Sequence, residues 1–225
     1  MSEPTPTDLF GPLKRFGIMG GSFDPVHIGH LSIAQQLLNG LKLEQVVLLP
    51  AAAPPHKQDG REQASAADRL EMCKLAVHNM RGLSVSDFEI RKGGISYTVD
   101  TARIVRKAYG PDAEIYFLIG SDSLADLPIW REIGELVKLI HFGIAERREV
   151  PIMPALWERI RSALGDEATA KLRSGVVEVQ RVDISSTLIR QLLKKGERIP
   201  GYLRKDVEEY IRKHGLYGAV SPEAK

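Results

Sequence analysis

Two histidines follow a pair of glycines near the start of the chain, in the stretch GGSFDPVHIGH at residues 20–30. His27 and His30 are three residues apart, so in a helix they lie on the same face of its first turn. Glycines let a backbone approach a ligand closely, and the N-terminus of a helix offers amide groups and a partial positive charge. The stretch therefore predicts a phosphate site, where both imidazoles donate hydrogen bonds to a phosphate whose charge grows during a reaction.

The same stretch has two other interpretations. Gly20 and Gly21 could form a plain turn, with Ser22 or Asp24 capping the helix and the histidines serving only in packing. His-x-x-His could also hold a metal ion, but no nearby carboxylate and histidine residues complete such a site, so we predict no protein-bound metal. The stretch is neither a dinucleotide-binding G-x-G-x-x-G nor a P-loop, which argues against hydride transfer and P-loop NTPase chemistry.

Strand-like and helix-like segments alternate along the whole chain. Near-continuous apolar runs, such as residues 46–49 and 115–119, suit strands that are buried on both faces, and amphipathic stretches follow them. This alternation predicts an α/β fold with a Rossmann-like, doubly wound parallel sheet, followed by C-terminal helices. The first strand ends directly on the glycine pair, at the carboxyl edge of the sheet where such folds bind their ligands.

Some segments carry more specific predictions. LSVSDFEI at residues 83–90 is predicted as one strand, residues 121–127 and 130–139 as helical stretches, and residues 155–164 as a helix. The loop at residues 51–68 is longer than usual, which indicates a binding role.

Length and composition indicate one globular domain. The chain has 225 residues, 43% of them apolar and 27% charged, with a formal charge of +2. It is long enough for one sizeable core and has no basic block suited to nucleic acid. We predict a flexible N-terminal extension at residues 1–13, a single domain at 14–218 and a C-terminal tail at 219–225. One cysteine, no secretory signal and no apolar run of about 20 residues predict a cytoplasmic protein without a membrane partner, and homo-oligomerisation is left open.

Several motifs resemble one family, in the family's order. GGSFDPVHIGH together with ISSTLIR at residues 184–190 resembles the nucleotidylyltransferase superfamily. Further segments are similar to the bacterial nicotinate-nucleotide adenylyltransferase family: PPHK (54–57), RLEMCKLA (69–76), ISYTVDT (95–101), FLIGSDSLADLPIW (117–130) and VEEYIRKHGLYG (207–218). The resemblance covers about residues 16–218.

The resemblance implies adenylyl transfer, in which the phosphate of nicotinate mononucleotide attacks the α-phosphorus of ATP, with Mg²⁺ assisting. The products would be deamido-NAD and pyrophosphate. An in-line displacement of this kind needs placement and charge stabilisation but no covalent intermediate on the protein. The resemblance assigns the catalytic contacts to His27 and His30, near the α-phosphate, and to Arg190, at the pyrophosphate end.

The resemblance also implies binding residues for both substrates. For ATP they are Gly20, Gly21, Ser22 and Phe23 through their backbone, Gly120 and Asp122 at the ribose, and Ser185, Ser186 and Thr187 at a helix start that holds phosphate oxygens. For nicotinate mononucleotide they are Trp130 stacked on the ring, backbone groups near Thr98 and Arg131 at its carboxylate, and Lys57 at its phosphate. Without the resemblance, Trp130 reads as a core residue, Lys57 as a solvated lysine and ISSTLIR as an ordinary helix cap with an exposed arginine.

Other functions stay open on the sequence. A sister adenylyltransferase would act on nicotinamide mononucleotide or phosphopantetheine, although ISYTVDT and LPIW argue against it. A non-catalytic nucleotide sensor would keep the fold without the reaction, and the intact His27, His30 and Arg190 argue against that interpretation. An RNA-binding protein related to class I synthetases is disfavoured by the near-neutral charge and the lack of a KMSKS-like signature.

Overall fold

Six strands form one parallel sheet in the computed structural model, which describes residues 5–53, 64–180 and 182–219. The strands are β1 Arg15–Gly21, β2 Gln45–Pro50, β3 Leu83–Val85, β4 Glu114–Gly120, β5 His141–Arg147 and β6 Val176–Val179. They pair in the order β3-β2-β1-β4-β5-β6, and all neighbours are parallel. This order places a topological switch point between β1 and β4. The prediction of a Rossmann-like, doubly wound α/β sheet is confirmed.

Helices cover both faces of this sheet. The α-helices are α1 Pro6–Leu9, α2 Ile28–Gly40, α3 Ala66–Val77, α4 Phe88–Lys92, α5 Thr98–Tyr109, α6 Ile133–Leu139, α7 Pro154–Arg173, α8 Ser186–Lys194 and α9 Lys205–Lys213. Short 3₁₀ helices span Ser121–Ala125, Leu127–Ile129 and Leu216–Gly218. None of the described helices combines the length and the apolar character that crossing a bilayer would require.

Two apolar cores lie on opposite faces of the sheet. Successive residues of a strand point to opposite faces, so Phe117 belongs to the core with residues of α5, α6 and α7. Leu118 belongs to the core with residues of α2, α3, α8 and α9. Because both faces are covered, the central strands need apolar side chains at nearly every position. This explains the near-continuous apolar runs of the sequence.

The prediction of one strand at residues 83–90 is wrong after its first half. β3 ends at Val85, and α4 begins at Phe88. The Ser86 hydroxyl accepts a hydrogen bond from the N–H of Phe88 at 3.2 Å, and Asp87 pairs with Arg91 at 2.8 Å. These local bonds turn the chain into a short helix, because a serine hydroxyl and an i,i+4 ion pair offer the backbone an alternative to strand pairing.

Other predicted helices have different bounds in the structure. The helix predicted at residues 155–164 extends through α7 to Arg173, with Gly165 in a non-helical conformation at φ 85°. The stretches predicted at 121–127 and 130–139 are 3₁₀ helices and then α6, which begins at Ile133. Trp130 and Arg131 therefore lie in a connection, not within an amphipathic helix.

The described part of the N-terminal stretch contacts the body of the protein. Leu9 is buried in the apolar cluster that includes Phe16. The Tyr109 hydroxyl donates to the carbonyl of Gly11 at 2.8 Å, and the Ser86 hydroxyl donates to that of Leu9 at 3.2 Å. These contacts fix residues that the sequence predicts as part of a flexible extension. The single domain at 14–218 stays a prediction.

Candidate active site

The N-terminal ends of α2 and α8 meet beside the carboxyl end of β1. Arg190 Nη1 donates to the carbonyl of Asp24 at 2.6 Å, and the Ser186 hydroxyl donates to that of Pro25 at 3.0 Å. Gly29 lies so close to Ile184 that a Cβ on the glycine would be 2.9 Å from Ile184 Cγ2. The early and late motifs of the sequence are thus in contact.

His27 and His30 stack on each other at the start of α2. Their ring centroids are 3.7 Å apart with an interplanar angle of 23°, and His30 also meets Phe23 edge-on at 5.2 Å. The N–H of His27 donates to His30 Nδ1 at 3.3 Å. Because Nδ1 of His30 is the acceptor, the neutral ring carries its proton on Nε2, which makes Nε2 the donor nitrogen. His27 itself is the N-cap residue of α2.

Burial keeps the His27 imidazole uncharged. The side chain is 7% exposed, and this burial lowers its pKa to about 4. Its Nδ1 is buried with no hydrogen-bond partner among the described residues. At neutral pH His27 can therefore contribute a hydrogen bond but not a full positive charge. Arg190, whose side chain is 19% exposed, supplies a cation in this site.

The low pKa of His27 predicts a loss of stability in acid. The unfolded chain binds a proton at this histidine below about pH 6.5, whereas the folded chain does so only below about pH 4. The stability from the neutral ring is fully present above pH 6.5 and is lost as pH falls towards 4. It amounts to on the order of 3 kcal/mol. We expect His27→Gln to weaken the pH dependence of the free energy of unfolding between pH 6.5 and 4, measured by urea denaturation.

The control for this measurement is His78→Gln, because His78 is exposed. This control should follow the wild-type dependence on pH. A His27→Gln variant that lost as much stability between pH 6.5 and 4 as the wild type would contradict the assignment.

Aromatic rings fill the space beside the glycine pair. A Cβ on Gly20 would be 3.0 Å from the ring of Phe117, and one on Gly21 would be 3.2 Å from that of Phe23. Phe23 has φ 47°, in the left-handed region that non-glycine residues seldom adopt. A side chain at either glycine would therefore require the neighbouring ring to shift. The approach of the backbone at residues 20–23 to a nucleotide stays a prediction.

A buried arginine that the sequence did not single out holds the loops around this turn. Arg69 is 2% exposed and donates to four backbone carbonyls: Ser22 (2.8 Å), Ala51 (2.7 Å), Ala52 (3.2 Å) and Ala64 (3.3 Å). Burial lowers the pKa of the guanidinium, and the charge of nearby Asp24 opposes this effect. Arg69 therefore joins the ends of β1 and β2 to the start of α3.

The burial of Arg69 could have been predicted from the spacing of apolar residues in α3. Arg69 precedes the buried residues Met72, Cys73 and Ala76 by three, four and seven positions, which puts all four on one face of the helix. An arginine on an apolar face indicates a buried side chain with backbone partners.

Asp24 is the second residue whose role the sequence understated. Its carboxylate is 1% exposed, and Oδ1 accepts hydrogen bonds from the Ala64 N–H (3.1 Å) and the Tyr217 hydroxyl (2.7 Å). Oδ2 lies 3.8 Å from Arg190 Nη1. Asp24 does not cap α2, whose first N–H donates instead to the carbonyl of Tyr202 at 3.0 Å. It is a buried anchor between distant parts of the chain.

The hydroxyls at the start of α8 have partners within the protein. Ser185 caps the helix, since its side chain accepts the N–H of Leu188 at 3.1 Å. Thr187 Oγ1 accepts from Arg190 Nη2 at 3.3 Å. Ser185 is therefore the ordinary helix cap that the alternative interpretation of ISSTLIR predicts. Arg190, which that interpretation predicts to be exposed, is mostly buried. Phosphate contacts from Ser185, Ser186 and Thr187 stay a prediction.

Asp122 lies at the carboxyl end of β4, just after Gly120. Its side chain is 70% exposed and stands 3.7 Å from Arg147 Nη2, while Oδ1 accepts the N–H of Ser123 at 3.1 Å. A Cβ on Gly120 would overlap the Asp122 carboxylate. Glycine at this position therefore makes room for the carboxylate. A ribose contact by Asp122 stays a prediction.

The residues predicted for the pyridine ring lie near one another. Trp130 is partly buried and meets Phe117 and Phe142 edge-on, with ring centroids 6.1 Å and 6.3 Å away. The guanidinium of Arg131 lies 4.6 Å above the ring of Tyr97. This cation–π contact joins the connection before α6 to the start of α5.

The start of α5 has amide groups without a side-chain cap. Its N-cap is Tyr97, which makes no side-chain hydrogen bond there, and Thr98 is the first helical residue. Buried Glu89, which the sequence did not identify, accepts from the Thr101 hydroxyl at 2.8 Å and fixes α4 against α5. Burial raises the pKa of this carboxyl. Lys57 lies outside the described residues.

No three His, Cys, Asp or Glu side chains among residues 5–53, 64–180 and 182–219 form a group able to hold a metal ion.

The sheet order, with the starts of α2 and α8 in contact beside the end of β1, defines a Rossmann-like α/β protein. A model of the cytidylyltransferase-like family matches residues 18–192. A relative from Synechococcus sp. (strain JA-3-3Ab), described as a probable nicotinate-nucleotide adenylyltransferase, is 39% identical over 96% of this chain and 99% of its own. A second relative, from Desulfitobacterium hafniense (strain Y51) and described in the same words, is 40% identical over 93% of this chain and 99% of its own length. The chain belongs to the nicotinate-nucleotide adenylyltransferases of the cytidylyltransferase-like family.

A solved structure supports the fold. Nicotinic acid mononucleotide adenylyltransferase from Plasmodium falciparum, complexed with NaAD, has a TM-score of 0.69 to this chain and 22% sequence identity. The alignment covers 92% of this chain and 98% of the other.

Proposed function

We propose that this protein transfers the adenylyl group of ATP to nicotinate mononucleotide in the biosynthesis of NAD. A phosphate oxygen of the mononucleotide forms a bond to the α-phosphorus of ATP, and the bond from that phosphorus to the bridging oxygen of the β-phosphate breaks. Deamido-NAD and pyrophosphate result, and no covalent bond to the protein forms. The observation that carries this proposal is the meeting of the α2 and α8 starts, with two imidazoles and Arg190, in a chain 39–40% identical to named relatives.

Three side chains perform the proposed reaction by placement and charge. His30 donates through Nε2 to the α-phosphate as negative charge grows there, and neutral His27 fixes the His30 ring by stacking and by its N–H. Arg190 holds the pyrophosphate end through a planar fork that suits phosphate oxygens. The other assignments of the ATP and pyridine residues belong to the same proposal.

A divalent metal is common to nucleotidyl transfer, and we propose that Mg²⁺ arrives with ATP. In nucleotide-binding enzymes Mg²⁺ is commonly held mainly by substrate phosphates and water, with one or two carboxylates. When bound, the ion neutralises phosphate charge. A cytoplasmic location stays a prediction, and homo-oligomerisation stays open.

Preference for the acid over the amide follows from the start of α5. The amides at Thr98 and Val99 and the positive end of the helix suit a carboxylate, and the cation of Arg131 lies over neighbouring Tyr97. An uncharged amide in place of the carboxylate would weaken two charge-assisted hydrogen bonds. This loss is worth about 3 kcal/mol, or about 100-fold.

We therefore expect kcat/KM for nicotinate mononucleotide to exceed that for nicotinamide mononucleotide by about 100-fold. The measurement is pyrophosphate release from ATP with each mononucleotide, and with phosphopantetheine as a further acceptor. Equal rates with acid and amide would contradict the acid preference. ATP binding without any pyrophosphate release would favour the nucleotide sensor.

A further inference from the structure

The C-terminal stretch HGLYG, at residues 214–218, reaches the site although the proposed reaction uses none of its residues. Tyr217 has φ 58°, between Gly215 at φ 60° and Gly218 at φ 74°. A left-handed backbone conformation is strained for a tyrosine and persists only where surrounding contacts impose it. These contacts are therefore informative about what the segment does.

Tyr217 is bonded to Asp24, which lies 193 residues away along the chain. The hydroxyl donates to Asp24 Oδ1 at 2.7 Å, where Asp24 is buried and Tyr217 is partly buried. Burial and the adjacent carboxylate raise the pKa of Tyr217, so the hydroxyl keeps its proton and acts as a donor. A second C-terminal contact, from the Ile28 N–H to the Tyr202 carbonyl, holds the start of α2.

Asp24 in turn acts on Arg190. The guanidinium donates to the Asp24 carbonyl at 2.6 Å, and its Nη1 lies 3.8 Å from Oδ2, which has no hydrogen-bond partner among the described residues. A buried carboxylate with an unpaired oxygen attracts the nearest cation strongly. The bonds that Oδ1 receives from Tyr217 and the Ala64 N–H hold the carboxylate in place and satisfy part of its charge.

We propose that Tyr217 is a positioning residue for adenylyl transfer, which acts through Asp24 to keep Arg190 available to the substrate. Without the hydroxyl, the Asp24 carboxylate is freer to rotate and draws the guanidinium towards itself. The arginine then contacts phosphate less well. This inference rests on the proposed function and adds a residue that does not itself touch the substrate.

The test is Tyr217→Phe, which removes only the hydroxyl. We expect kcat to fall about 10-fold, with KM for nicotinate mononucleotide unchanged, because a misplaced group costs rate more than binding of the distant substrate. The matched control is Tyr210→Phe, which removes a hydroxyl bonded to another carboxylate, that of Asp68 at 2.9 Å. The control should keep wild-type kcat, and both variants should show similar Tm.

A double-mutant cycle separates positioning from a merely structural role. In an Arg190→Ala background, Tyr217→Phe should lower kcat no further, since the residue it positions is gone. An equal fold-loss of kcat in both backgrounds, or an unchanged kcat in the Tyr217→Phe single variant, would overturn the inference. If Tyr217→Phe is not folded at the assay temperature, Asp24→Asn replaces it in the cycle. We then expect Asp24→Asn to lower kcat in the wild-type background but not in the Arg190→Ala background, and an equal loss of kcat in both backgrounds would overturn the inference.

Wild-type protein with nicotinate mononucleotide separates this inference from the proposed function. No pyrophosphate release by the wild type contradicts the function, whereas an active wild type with additive losses contradicts only the role of Tyr217.

Discussion

Replacing His30 with alanine is expected to lower kcat for pyrophosphate release by at least about 100-fold, while the protein stays folded and still binds some ATP. The ring is only partly buried and lies on the helix start that meets Arg190 through Asp24. A donor aimed at growing charge stabilises the transition state more than the bound substrate, so its loss affects turnover first. Steady-state kinetics with a fluorescent ATP titration would measure both effects.

A second substitution at the same position separates catalysis from helix capping. His30 Nδ1 accepts the N–H of His27, and alanine leaves that amide without its partner. Asparagine offers a side-chain oxygen as a replacement acceptor, so we expect His30→Asn to recover stability but not turnover. Recovery of turnover with asparagine, or near-wild-type turnover with alanine, would show that His30 only shapes the helix start.

Replacing Arg69 with methionine is expected to lower the free energy of unfolding by about 3–5 kcal/mol. Methionine fills similar space but donates no hydrogen bond, so two buried and two partly buried carbonyls lose the guanidinium as a donor. Each unsatisfied buried group costs about 1–3 kcal/mol, partly relieved by movement or water. Urea denaturation at pH 7 would measure the loss.

The matched control is Arg161→Met on α7, where an exposed arginine pairs with Glu158. This variant should lose far less stability, because solvent screens exposed ion pairs. Arg69→Met should also lower kcat at temperatures where it is folded, since Ser22 adjoins the glycine turn. An Arg69→Met variant as stable as Arg161→Met would disprove the anchoring role.

The fold was predictable because its signals are local. Apolar runs of strand length and amphipathic stretches follow one another, and parallel strands joined by helices bring all their carboxyl ends to one edge. GGSFDPVHIGH follows the first strand, which places its histidines at that edge before any coordinates are known. Residues 83–90 were predicted wrongly in part, because their alternation of apolar and polar residues also fits a strand. The hydrogen bond from the Phe88 N–H to Ser86 favours a helix there instead.

The site was predictable only in outline. The sequence brought His27, His30 and Arg190 together through resemblance, and the structure places both motifs in contact. It offered Asp24 only as a possible cap in the alternative interpretation, and it gave Arg69 and Tyr217 no role, although these residues hold the turn. Apart from the bond of Arg69 to Ala64, five residues away, their roles depend on partners between 17 and 193 residues away along the chain.

The sequence by itself determined the order of the elements, the edge of the sheet that carries the site and the residues able to contact phosphate, because hydrophobic period and helix-start chemistry act within a few residues. Only the tertiary structure decided which buried polar groups pair. A hydrogen bond needs its two atoms within about 3 Å, and which distant segments come that close depends on how the helices pack on the sheet. The roles of Arg69, Asp24 and Tyr217 were therefore decided by the tertiary structure.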